Sequence, residues 1–120
     1  MEKTPKVFES EYRMCLLLWE HEPLKSAELA RLCKEHLDWE RTTTYTVIKR
    51  LAERGVLVNE KSIVRSLVSK DEIQLAELDE MFEKRFEGNL PAFIAAFAKH
   101  QNLSASDVEE ITKIIEREGK

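Results

Sequence analysis

Apolar residues recur along most of this chain at spacings of three and four, the repeat of a helix with one buried face. Val7, Phe8, Tyr12, Cys15, Leu16 and Trp19 form the first such series, and Pro23 stops it, which predicts a helix over about 9–21. Leu29, Leu32, Cys33 and Leu37 form the second, predicting a helix that runs to about His36, with LDW as the turn after it. Its start is open. Ser26 is a good N-cap residue type, whereas a cap at Lys25 would put Glu28 at the third helical position.

The stretch ERTTTYTVIKRLAERG, residues 40–55, sets propensity against pattern. Thr42, Thr43, Thr44, Tyr45, Thr46, Val47 and Ile48 are β-branched or aromatic and favour a strand. An alternating reading nevertheless fails, because neither the odd nor the even positions collect the apolar residues. The helical reading succeeds. Thr44, Val47, Ile48 and Leu51 fall on one face, Gly55 suits the position just past a helix, and Arg50 and Arg54 suit the negative end of the dipole. This predicts a third helix over about 41–54.

Beyond Gly55 the pattern changes. VLVNEKSIVRSLVS holds two β-rich runs around the polar NEK and predicts a β-hairpin with a tight turn near Asn59–Lys61. Ser69 and Glu72 have capping-box spacing and open a fourth helix to about Glu87, which Gly88 ends. Asn89 and Pro91 open a fifth, LPAFIAAFAKH. Ser104 and Asp107 form another capping box before a sixth helix, about 105–118, with Leu103 and Val108 placed as a hydrophobic staple and Val108, Ile111, Ile114 and Ile115 apolar.

The expected class is therefore mostly α. A winged helix-turn-helix, made of three helices and a short β-hairpin wing, occupies residues 1–69, and a three-helix C-terminal region occupies 70–120. In such folds the third helix enters the major groove of DNA. The last three helices span too few residues to bury a core of their own. Their apolar residues Leu78, Met81, Phe82, Phe86, Leu90, Phe93, Ile94, Phe97, Val108, Ile111 and Ile115 are assigned to a dimer interface, since a two-fold partner is the simplest cover.

A net charge of −4 looks wrong for a DNA binder. The distribution corrects that impression. Residues 1–70 hold 13 Lys+Arg against 11 Asp+Glu, and residues 71–120 hold 6 against 12, so the front half is basic and the back half acidic. On the third helix, Thr42, Thr46, Lys49 and Glu53 oppose the apolar face, flanked by Thr43, Tyr45 and Arg50. Short hydroxylated side chains let a helix approach a groove closely, bond phosphate or base edges and touch a thymine methyl. Arg41 and Thr42 open that helix, where backbone N–H groups can hold phosphate. Lys61 and Arg65 are the wing's cations.

Other chemistries find little support. Cys15 and Cys33 lie among apolar helical residues and read as buried reduced thiols. Cys33 and His36 could share a face, but no second pair completes a zinc set. There is no Gly-rich phosphate loop and no nucleophile paired with a base, so an enzyme is not expected, and no cofactor or metal is expected. His21, His36 and His100 are scattered among helix ends. The longest apolar runs, MCLLLW and FIAAFA, are far short of the ~20 residues of a membrane span. MEKTPK lacks the apolar core of a signal peptide, and a cytoplasmic location is expected without membrane insertion.

Four stretches carry a family resemblance. ESEYRMCLLLW, DWERTTTYTVIKRLAERG, SLVSKDE and FEGNLPAFIAAFAKHQNLSASDVEEITKII resemble in turn the opening, recognition, junction and tail segments of the BlaI/MecI-type penicillinase repressors. The resemblance covers nearly the whole chain. It implies a homodimeric transcriptional repressor with an N-terminal winged helix, a helical dimerisation region and a dyad operator upstream of resistance genes. Family positions that face DNA fall on Thr42, Thr43, Tyr45, Thr46, Lys49 and Arg50. Many members are released when a membrane-bound β-lactam-sensing metalloprotease partner responds and the repressor is cleaved. The matching bond here would be Ala96–Phe97.

The chain departs from the family at several points. Ala96 stands where the cleaved members have Asn, and Tyr45 where methicillin-type regulators have Arg. The wing is about four residues shorter than usual for the family, which predicts weak wing–phosphate contact. The Cys-x-Cys pair of the copper-responsive branch is missing from EITKIIEREGK, which argues against copper sensing. Two other classes remain open at this point. One is a ligand-sensing winged-helix regulator whose pocket Phe93 and Phe97 would line. The other is a winged helix that binds protein.

Overall fold

A computed structural model describes residues 3–119. In chain order it contains α1 (Glu9–His21), β1 (Leu24–Lys25), α2 (Ser26–Leu37), α3 (Arg41–Glu53), β2 (Leu57–Glu60), β3 (Ile63–Ser66), α4 (Lys70–Phe86), α5 (Leu90–Gln101) and α6 (Ala105–Glu118). The chain forms two compact units, one ending at Glu77 and the next beginning at Leu78, so α4 runs from one into the other.

The first unit is the winged helix. Met14 and Leu18 of α1, Leu29 of α2, Leu51 of α3, Leu57 of β2 and Val64 of β3 are fully buried together. Each such side chain stabilises the unit by roughly 1.5–3 kcal/mol relative to exposure. Ile73, in the first turn of α4, joins the same core. The face predicted for α3 is the buried one: Thr44, Val47, Ile48 and Leu51 all lie inside. Tertiary burial thus overrides the poor helix propensity of the threonine run.

Three strands form an antiparallel sheet in the order β1-β3-β2, with Leu24 opposite Val64 and Glu60 opposite Ile63. Side chains tie it to α1. Glu22 accepts hydrogen bonds from the Ser66 N–H (2.6 Å) and hydroxyl (2.8 Å), and the Trp19 indole donates to the Val68 carbonyl (3.0 Å).

Three details differ from expectation or settle it. β1 was not expected, because two residues are too short to show any alternation. The N-cap of α2 is Lys25, so Ser26 lies inside the helix and Glu28 takes the third position. The hairpin turn is Lys61–Ser62 rather than Asn59–Lys61; Asn59 and Glu60 belong to β2. Both turn residues have positive φ, 51° and 67°, the conformation of a two-residue hairpin turn that normally carries Asn-Gly. A left-handed conformation costs an ordinary residue about 1–2 kcal/mol, and glycine loses about 0.5–1 kcal/mol more entropy on folding. Ser62→Gly should therefore stabilise the chain by about 0.5 kcal/mol, which urea denaturation would read as a higher midpoint at unchanged slope.

Both predicted capping boxes form. Ser69 and Glu72 exchange two 3.0 Å hydrogen bonds at the start of α4, and Ser104 and Asp107 exchange two, at 3.3 and 3.0 Å, at the start of α6. Asn89 caps α5 by accepting from the Ala92 N–H. In the second unit Phe93 touches Phe82 and Phe86 edge-on and stacks beside Phe97, with centroids 5.0–6.2 Å apart. That aromatic cluster does not close a core. No residue of α5 or α6 is buried.

Candidate nucleic-acid interface

α2 and α3 are joined by a three-residue turn built for a sharp change of direction. Asp38 adopts the left-handed conformation, the Trp39 N–H donates back to the Cys33 carbonyl (3.3 Å), and Lys34 lies 3.7 Å from Asp38 and 3.6 Å from Glu40. Glu40 is the N-cap of α3 but its side chain makes no capping hydrogen bond. The first N–H groups of α3 are thus left without a side-chain partner, open to a phosphate oxygen.

The outer face of α3 holds the residues picked from sequence. Arg41, Thr42, Thr43, Thr46, Lys49 and Arg50 are exposed, and Tyr45 is half-buried. Cations on α2 are occupied: Arg31 pairs with Glu35, and Lys34 with Asp38 and Glu40. Among the described residues, no carboxylate lies within ion-pair distance of Arg41, Lys49 or Arg50. Arg41 instead donates to the Tyr45 hydroxyl (3.2 Å), and the Thr46 hydroxyl donates to the Thr42 carbonyl (2.9 Å). Thr46 therefore presents lone pairs and a methyl outward rather than a proton.

On the wing, Lys61 is exposed at the turn, while Arg65 is paired with Glu60 at 3.1 Å. One cation escaped the sequence reading. Lys25 is exposed on β1 opposite Ile63, and the Ser26 N–H donates to the Ser62 carbonyl at 2.8 Å, which brings Lys25 beside the wing turn. Only the strand register reveals that placement.

A second feature was also hidden. Arg54 was expected to serve the helix dipole; its guanidinium instead reaches back to α1. It donates to both carboxylate oxygens of buried Glu11, one at 2.9 Å, and to the Lys6 carbonyl (2.7 Å), and it lies over the Phe8 ring. Glu11 also accepts from the Phe8 N–H at the start of α1 (2.9 Å). The clamp fixes the end of α3 against the start of α1.

The family model described as penicillinase repressor matches residues 9–117. The chain belongs to the penicillinase repressor family. That family consists of DNA-binding repressors, not enzymes. Among curated relatives, the penicillinase repressor of Bacillus licheniformis is 25% identical over 97% of this chain and 94% of its own length. The methicillin resistance regulatory protein MecI of Staphylococcus aureus (strain N315) is 21% identical over 96% and 97%. Two solved structures share the winged-helix fold at 20% identity, covering 60% of this chain and 93% of theirs. One is the DNA-binding domain of the repressor BlaI (TM-score 0.54); the other is monomeric Bacillus licheniformis BlaI in complex with the blaP half-operator (TM-score 0.51).

In this penicillinase repressor family member, the residues assigned to a dimer interface leave much apolar surface uncovered. Leu78, Leu90, Ile94, Phe97, Val108, Ile111 and Ile115 are exposed, and Met81, Phe82, Phe86 and Phe93 are half-buried. Ile114 of α6, absent from that assignment, is exposed as well. Ala96 and Phe97 are exposed in the body of α5. Among the described residues, no helix is long and apolar enough to cross a membrane, and no group of three or more His, Cys, Asp or Glu side chains is placed to hold a metal ion.

Proposed function

We propose that the chain is a homodimeric transcriptional repressor that binds a pseudo-palindromic operator through α3 of each copy. Residues 1–69 read DNA and residues 70–120 hold the copies together. One observation carries the reading: the outer face of α3 combines short hydroxyls with three cations that no carboxylate neutralises among the described residues. Arg41, Thr42, Thr43, Tyr45, Thr46, Lys49 and Arg50 meet the groove, with Lys61 and Arg65 on flanking phosphates. Apolar exposure in α4–α6 supports the dimer, since contiguous patches of this kind mark interaction surfaces.

Fluorescence anisotropy on DNA upstream of the chain's own gene, against a scrambled duplex at two salt concentrations, tests the reading. Lys49→Ala should weaken operator binding roughly tenfold, the worth of one charge-assisted contact. It should also reduce the log–log salt slope by about 0.9. Thr46→Ala should weaken binding with the slope unchanged. Wild-type binding by both variants would remove α3 as the reader.

The regulated genes, on this reading, confer β-lactam resistance, as the names of the curated relatives indicate for those proteins. Release follows cleavage at Ala96–Phe97 by a membrane-bound β-lactam-sensing metalloprotease. A protease needs extended backbone, and α5 has no buried residue to resist unwinding within one chain. Mass spectrometry after β-lactam challenge should find a fragment ending at Ala96; an intact chain under full induction would exclude this route.

A further inference from the structure

Arg41 and Tyr45, on the exposed side of α3, are locked together by two different contacts. The Arg41 Nη2 donates to the Tyr45 hydroxyl at 3.2 Å, and the guanidinium carbon lies 5.4 Å from the ring centroid. The spacing is i,i+4, so the two side chains rise from the same face on the first and second turns of α3. Tyr45 is itself anchored, half-buried against the hydrophobic core. Arg41 has no acidic partner among the described residues.

We propose that this pair is a guanine-reading unit, with Arg41 as the reader and Tyr45 as its positioning residue; the inference rests on the operator reading given above. A free arginine carries about 2 kcal/mol of rotamer entropy. Stacking on an anchored ring and one hydrogen bond remove much of that freedom before DNA arrives. The guanidinium has five N–H donors, and the Tyr45 oxygen takes one. The rest suffice for the two parallel bonds that match O6 and N7 of guanine in the major groove. A lysine could not substitute, because it offers a point charge without a fork. The competing role for Arg41, at the opening turn of the helix, is a phosphate contact that carries no sequence information.

Selection from a randomised duplex library separates these roles. Wild type should enrich a guanine at one fixed position in each half-site, and 7-deazaguanine there should weaken its binding roughly 5- to 150-fold. Arg41→Lys keeps the charge and should lose the preference at that position alone. Tyr45→Phe keeps the ring and removes the acceptor; it should retain the same guanine with reduced discrimination and an unchanged salt slope. Circular dichroism confirms that each variant is folded. If Arg41→Lys leaves the guanine preference intact, or Arg41→Ala weakens every sequence equally and flattens the salt slope, Arg41 is a phosphate contact and the inference fails. An unchanged preference in Tyr45→Phe removes the positioning role. Absence of any sequence preference in wild type would overturn the operator reading itself, and the guanine unit with it.

Discussion

Arg54→Ala should destabilise the winged-helix unit by about 3 kcal/mol, the low end for breaking a buried ion pair by removing one partner. The low end applies because Arg54 is 30% exposed while Glu11 is only 4% exposed. The loss comes mainly from what stays behind. Glu11 would keep one hydrogen bond, from the Phe8 N–H, and lose its counter-charge inside the core. Acid separates this cause from lost packing over Phe8. In the intact protein burial pushes the Glu11 carboxyl up, but hydrogen bonds from Arg54 and Phe8, with the charges of Arg54 and Arg50, hold it below its ordinary value of 4.5. A lowered folded-state pKa stabilises the fold above the unfolded value, and the benefit disappears as pH falls through the folded value. In the variant only the Phe8 hydrogen bond and the Arg50 charge still oppose burial, so the same group sits higher than in wild type and protonation relieves it sooner. The stability gap between wild type and Arg54→Ala should therefore narrow as pH falls from 7 through 4.5. A gap that stays constant over that range in urea titrations would assign the loss to packing.

The second large effect is expected in α6. On the proposed homodimer, Ile111→Asp with Ile115→Asp should leave each chain folded and separate the copies. Ile115 is 56% exposed and Ile111 37% exposed, so neither substitution places a charge at a fully buried site within one chain. Across a two-fold interface each would bury an unpaired carboxylate against apolar surface, and each position counts twice. Hot-spot losses of about 2 kcal/mol at each of the two positions correspond to a dissociation constant raised roughly 1,000-fold even before both copies are counted. Sedimentation velocity would read the change directly. Affinity for a full operator should fall towards that for a half-site, while the half-site affinity stays the same. A variant still dimeric at micromolar concentration would place the interface elsewhere.

The helical elements were legible in the sequence because one-sided burial leaves a period. The stripe of Thr44, Val47, Ile48 and Leu51 identified α3 against the propensity of its own threonines, and Gly55 marked its end. Capping residues did the same for α4, α5 and α6. What stayed illegible was set by contacts distant in sequence or by residues unsuited to their conformation. β1 exists because Leu24 and Lys25 pair with β3 some forty residues later. The wing turn lies elsewhere than expected because neither Lys61 nor Ser62 is a residue that favours the left-handed region, so nothing local marks their positive φ. The Arg54 clamp was hidden because its partner lies on α1, and an arginine at a helix end already has a local explanation in the dipole. At the candidate interface, sequence placed Arg41, Thr42, Thr46, Lys49 and Arg50 on the side of α3 that the structure leaves exposed, but the link from Arg41 to Tyr45 and the inward bond of Thr46 needed the side chains.

The two cysteines give the winged-helix unit an internal clock. Both are buried there, and the second unit has none. Burial pushes the Cys15 thiol up to about 12 and raises Cys33, whose neighbour Thr44 pulls it only partly back. Attack on an alkylating reagent needs thiolate, which the closed core at neutral pH all but eliminates. Labelling can then proceed only as fast as the core opens, without any engineered probe. Neither thiol lies in α5 or α6, so the unmodified chain reports the opening of its winged-helix core with no label on the helices that follow.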